Sequence, residues 1–236
     1  MPPEGSTGPW PPGRLRTRRL PNGLRLLQSE NDEASVVTVA LTYRVGARDD
    51  PPGAAGLAHF LEHMMFKGSS RYPAGEVDRR TLALGGENNA FTSHDATTYY
   101  FSFASDRWTE ALEIEADRMS HLLLDRREVE SERAVILEEI SMYRSDPWDA
   151  LDRAVQTALY GDHPYGRPVL GTTSEVAAIT VEQLEALHRE SYRPDGAVLV
   201  VAGGVDGDAL ELAGELFASI PGQRAGRTAV GPPQPP

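Results

Sequence analysis

Residues 59–68 read HFLEHMMFKG. His59 and His63 are four apart, so on a helix turning about 100° per residue they project from one face, one turn apart. Glu62 stands three after His59 and one before His63, at the flank of that face. Two imidazoles placed this way can supply two of the three protein ligands that a catalytic zinc needs, with a fourth position left for water. A carboxylate beside them, outside the ligand set, can accept that water's proton. The same letters also describe an ordinary surface helix decorated around Leu61, Met64, Met65 and Phe66. A third ligand has to decide between the two.

It should look out of place in its own element, and EVESERAVILEEISMY, residues 128–143, contains such a residue. On a helical wheel Val129, Ile136, Ile140 and Tyr143 form one apolar stripe, the expected buried face. Glu132 and Glu139, seven apart, fall inside that stripe, whereas Glu138 points about 100° away toward solvent. A buried carboxylate costs several kcal/mol (~3–5) unless it is paired or coordinated. Two outcomes are open: buried salt bridges to Arg118 or Arg133, or a metal. With a two-histidine helix upstream the metal is the better reading, with Glu139 completing the ligand set and Glu132 hydrogen-bonding a ligating histidine.

The chain has 236 residues, enough for a substantial core, and an ordinary balance of 40% hydrophobic and 25% charged residues. It has no cysteine, so any metal must be held by His, Asp and Glu. A net charge of −12 argues against nucleic acid as a partner. No apolar run approaches the roughly 18–20 residues of a membrane span. The opening MPPEGSTGPWPPG reads as a disordered arm over residues 1–13, and the cytoplasm is the expected compartment. The end, residues 222–236, has the Pro/Gly-rich composition of a linker or tail. One domain over 14–221 is expected between them.

Within it, RLRTRRL and LRLLQ flank Pro21-Asn22-Gly23 as a hairpin, and SVVTVALTYRV is a third strand. The helix carrying His59 follows, then AGEVDRRTLALGG as a second helix. NNAFTS and TTYYFSFAS form a strand pair around a turn at Ser93 to Ala96. Helix then runs from Asp106 to about Arg144 with a break near Leu124-Asp125, and again from Trp148 to Tyr160. GDHPYGRPVLGT is a loop, in which His163 fixes local geometry. Thr180 and Gln183 make a capping box for the helix TVEQLEALHRESY. GAVLVVAGGV is a buried strand and DALELAGELFASI a last amphipathic helix. Adjacent runs of strands and of helices predict an α+β fold: a largely antiparallel sheet of about six strands with helices packed on one face. His94, beside Asp95, reads as a turn or rim residue, and His121 and His188 as helix residues without evident chemistry.

The order His-x-x-Glu-His is that of the inverzincins. The separation of 76 residues between His63 and Glu139 resembles the long spacing to the third ligand in the pitrilysin-type (M16) metallopeptidases. GGENNAFTSHDATTYY, ERAVILEEISMYRSDPWD, HPYGRPVLGT and YRPDGAVLVVAGGV each resemble a block of that family, in family order. The resemblance covers about Leu15 to Pro221. It implies a zinc-dependent endopeptidase domain with His59, His63 and Glu139 as zinc ligands, Glu62 as general base, and Glu132 as the carboxylate supporting a ligating histidine. It also implies that NNAFT is the edge strand to which an unstructured peptide adds, held by the backbone of Asn89, Ala90, Phe91 and Thr92. Members of this family usually combine two or four copies of such a domain, so a second M16-like domain or subunit is the implied partner, in a hetero- or homodimer. The alternative is a non-catalytic structural or peptide-binding subunit on the same fold, which the family also contains.

Overall fold

The computed structural model describes residues 14–222 and 230–232. The arm expected over 1–13, and all of the expected tail except residues 222 and 230–232, lie outside the described residues.

The first hairpin forms where the sequence places it. Strand β1 (Arg14–Arg19) pairs antiparallel with β2 (Arg25–Glu30), and the Leu20 N–H donates to Leu24 O at 2.9 Å to close the turn. Strand β3 (Val36–Tyr43) follows, then helices α1 (Leu57–Met64) and α2 (Glu76–Ala83). Strands β4 (Glu87–Thr92) and β5 (Thr97–Ala104) form the second hairpin. Helices α3 (Thr109–His121), α4 (Arg126–Arg144), α5 (Pro147–Tyr160), α6 (Thr173–Ala178) and α7 (Val181–Ser191) lead to strand β6 (Ala197–Gly203) and helix α8 (Ala209–Phe217). The short helix α6 went unassigned in the sequence reading. Six residues are too few to show a helical period, and its signal is a cap, in which Thr172 Oγ1 accepts from the Glu175 N–H.

The strands form one six-stranded sheet in the order β1-β2-β6-β3-β5-β4. Every pairing is antiparallel except β2 with β6, because β6 returns through the long helical run and inserts between β2 and β3. Alternation along the strands sorts the two faces. Leu26, Leu199, Leu41 and Tyr99 lie side by side across four strands and are all buried under the helices. On the opposite face Thr38, Ala40, Thr42, Val198 and Val200 are half-buried. This is the expected α+β architecture, with β4 at the end of the sheet.

Helix α1 is held by burial rather than by helix propensity, since seven of its eight residues are buried. Its start is fixed by Asp50, whose two oxygens accept the Gly56 and Ala58 N–H groups at 2.8 and 2.9 Å. Burial pushes the Asp50 carboxyl up to about 7 against those two bonds. Gly56 has φ of 92°, and a Cβ there would meet Leu170 O at 2.5 Å, so glycine is required at this turn into α1. In α4, Val129, Glu132, Ile136 and Ile140 are buried, as the wheel predicts. Tyr143 is not: it is 43% exposed, because α4 runs past the edge of the core in its last turn.

Candidate metal centre

Helix α1 presents His59 and His63 on one face, with ring centroids 4.6 Å apart. Helix α4 crosses it and delivers Glu139 between them. Oε2 of Glu139 lies 3.7 Å from Nε2 of His59 and 3.5 Å from Nε2 of His63. One ligand atom from each of the three residues falls within 4.8 Å of the others. His59 is buried, while the Glu139 side chain is 25% exposed, so the donor set opens toward solvent on the Glu139 side.

Glu132 stands one layer behind. Its Oε1 lies 2.8 Å from Nδ1 of His63, and its Oε2 is 2.5 Å from Nζ of Lys67. The expected alternative partners, Arg118 and Arg133, do not pair with the two glutamates; the salt bridge that Glu132 makes is to Lys67. Arg118 pairs with Glu115, and Arg133 pairs with Glu130 and donates to Val176 O. Lys67 is not among the residues the sequence singles out, because it lies beyond the end of α1, in the bend after its C-cap Met65, where helical spacing gives no signal.

Electrostatics tests whether a cation belongs here. Burial and the charge of His63 hold His59 well below the ordinary histidine range. Burial also opposes charge on His63, but hydrogen bonds to Glu132 and Glu139 outweigh it and raise its pKa. A bond from His63 likewise lowers Glu139. Two carboxylates thus face the pair of imidazoles and favour a proton on His63, while Lys67 pairs with Glu132. A divalent cation bound through Nε2 of each histidine and a Glu139 oxygen would take over that balance. Two imidazoles and one carboxylate, with an open side, suit zinc.

Glu62 is buried at the flank of this set, and its Oε2 accepts a hydrogen bond from the Thr92 hydroxyl. Burial raises its pKa above the ordinary carboxylate value, partly offset by the Thr92 bond. A cleft of about 290 Å³ lies between α1, α4 and the edge strand, lined by Glu62, His63, Lys67, Asn88, Ala90 and Glu132 among others. Of the four edge-strand residues singled out in the sequence, Ala90 and Thr92 lie on the helix side of the sheet, in register with Tyr99 and Thr97. Asn89 and Phe91 alternate to the other face and are exposed, although Asn89 Oδ1 accepts the Ala90 N–H at 2.8 Å. His94 sits in the turn after β4, as expected, with Nε2 3.1 Å from Arg167 O. His163 orders its loop, with Nδ1 accepting the Tyr165 N–H at 3.2 Å.

An α+β domain that carries a His-x-x-Glu-His helix and a distant helical glutamate on the same centre defines a class, that of inverted-motif metallopeptidase domains. The chain belongs to the insulinase family (peptidase family M16), whose model matches residues 25–173. A second model, described as the peptidase M16 inactive domain, matches residues 178–236. A zinc protease of Mycobacterium leprae is 41% identical over 205 residues, covering 85% of this chain and 45% of that protein. The zinc protease YmxG of Bacillus subtilis is 34% identical, covering 84% of this chain and 48% of its own length. Among solved structures, a protease from Helicobacter pylori superposes with a TM-score of 0.84 at 29% identity, over 94% of this chain and 54% of that one. Pitrilysin gives 0.83 at 26% identity, over 94% and 24%. A further neighbour is the periplasmic protease PqqL of Escherichia coli. The chain spans less than half the length of the curated relatives named here. Among the described residues no helix is long and apolar enough to cross a membrane.

Proposed function

We propose that this chain is the metal-bearing half of a zinc-dependent endopeptidase that cuts unstructured peptides. The observation that carries the reading is the meeting of three donors from two helices beside Glu62, with His63 and Glu62 lining a cleft bounded by the last strand of the sheet. In this reading His59, His63 and Glu139 hold one zinc, which when bound supplies the positive charge that acidifies a water and polarises a scissile carbonyl. Glu62 takes the water's proton and returns it to the departing amine. Its burial favours this task, because a raised proton affinity lets the carboxyl keep the proton between the two transfers. Glu132, clasped by Lys67, keeps the His63 ring oriented.

The substrate adds to β4 as an extra strand, held by the backbone of Asn89, Ala90, Phe91 and Thr92. This is supported by the position of β4, which among the described residues pairs only with β5. Only an extended segment can bind in that way. A second M16-like domain or subunit closes over the substrate. Its support is the coverage of the relatives, together with an apolar stripe on α5 that the described residues leave uncovered: Trp148, Leu151, Val155 and Leu159 are all exposed.

The test is peptide cleavage with bound zinc quantified, for the wild type and Glu62→Gln. Each is assayed alone and with the uncovered half of the Mycobacterium leprae relative added in trans. Cleavage that chelation abolishes and that Glu62→Gln lowers by about 10²-fold or more supports the reading. Zinc bound without turnover under every condition would favour the non-catalytic subunit instead.

A further inference from the structure

Among the described residues, the hydroxyl of Thr92 is the hydrogen-bond donor to Glu62, which accepts at Oε2. Thr97, the cross-strand partner of Thr92, has its hydroxyl oxygen 3.3 Å from that of Thr92. Its hydrogen, however, is donated to Val45 O at 3.0 Å, deep in the core. A threonine hydroxyl carries a single proton, so with Thr92 committed to Glu62 and Thr97 to Val45 no donor remains between the two. Thr97 is fully buried, and behind it Tyr99 and Tyr192 share a hydrogen bond of 2.9 Å. The Thr92 proton has two acceptors in reach, the Glu62 carboxylate and the Thr97 oxygen at 3.3 Å, and the closer, negatively charged carboxylate is the stronger one.

The register of the second hairpin places Thr92 there. Thr92 pairs with Thr97 and Ala90 with Tyr99, so a slip of one residue would turn the hydroxyl to the opposite face and leave Glu62 without a donor. We infer that Thr92 is the positioning residue for Glu62: its hydroxyl holds Oε2, leaves Oε1 as the atom facing the cleft to take the proton, and ties that orientation to the strand that receives the substrate. The inference rests on Glu62 being the general base. It gives Thr92 a side-chain role separate from the backbone contacts of β4.

The test compares Thr92→Val, which keeps the β-branched shape and removes the hydroxyl, with Thr92→Ser, which restores it. The first readout needs no turnover. In protein labelled with ¹³C at glutamate Cδ, the Glu62 signal, assigned by its loss in Glu62→Gln, shifts in Thr92→Val and returns in Thr92→Ser. With the second half added in trans, kcat falls about 10- to 100-fold in Thr92→Val, while KM and bound zinc stay within about twofold, and Thr92→Ser recovers kcat. A Glu62 signal that stays in place in Thr92→Val overturns the inference. So does a shifted signal with unchanged kcat, or a Thr92→Ser variant that recovers neither. If no form cleaves any peptide, the endopeptidase reading fails, and the carboxyl signal alone then decides whether Thr92 holds Glu62.

Discussion

Nδ1 of His63 lies 2.8 Å from Oε1 of Glu132, and this contact sets which nitrogen the imidazole turns to Glu139. With Nδ1 engaged, Nε2 is the atom that joins the donor set. Glu132 is able to do this while buried because Lys67 holds its other oxygen. Burial alone would raise its pKa, but the bonds to His63 and Lys67 prevail and keep it below the ordinary carboxylate value.

Glu132→Gln therefore weakens zinc binding without removing a ligand. The expected loss is about 10- to 100-fold in affinity, measured by competition against a chromogenic chelator. Lys67→Met should act in the same direction and less strongly, since it leaves the His63 contact in place. An unchanged affinity in Glu132→Gln would remove Glu132 from the account.

Zinc binding should be strongly pH-dependent. His63 is raised to about 9 in the metal-free protein, so below that pH the imidazolium must release the Nε2 proton before it can ligate. Apparent affinity should fall by about tenfold for each pH unit between roughly 8 and 6, and binding near pH 7 should release about one proton from His63. Titration calorimetry in buffers of different ionisation enthalpy reads both. An affinity flat across that range would mean that His63 is neutral before the metal arrives.

Behind α1 a second charged pair is wholly enclosed. Arg118 donates to both oxygens of Glu115 at 2.6 and 2.8 Å, and its guanidinium lies 4.4 Å from the Tyr99 ring centroid. Arg118→Met alone strands a buried carboxylate and should cost about 3–5 kcal/mol, whereas Arg118→Met with Glu115→Leu should cost much less. Urea unfolding of the two variants measures the difference. Equal losses in both would show that the pair stabilises through its fit to Tyr99 and Phe101 rather than through charge balance.

The centre was legible in the sequence because each ligand violates the pattern of its own element. Two histidines break the apolar face at residues 59 and 63, and two glutamates interrupt the stripe of Val129, Ile136 and Ile140. The second hairpin was legible from its turn residues and the sheet from its β-branched runs, whereas the edge position of β4 came only from the family resemblance. Features created by chain crossings were not. The parallel contact of β2 with β6 depends on where β6 enters after five helices, which no local pattern records. Lys67 reads as an ordinary surface lysine until α4 brings Glu132 to it. The exposure of Tyr143 follows from α4 outrunning the core, a matter of length that a helical wheel does not contain.

The central claim, that His59, His63 and Glu139 hold one zinc while Glu62 remains outside the ligand set, is tested most directly by elemental analysis of bound zinc. The wild type, Glu62→Gln and Glu139→Gln would be measured side by side after dialysis against a weak chelator. The account predicts about one zinc per chain in the wild type and in Glu62→Gln, and a large loss in Glu139→Gln. Full zinc in Glu139→Gln, or its loss in Glu62→Gln, would contradict it.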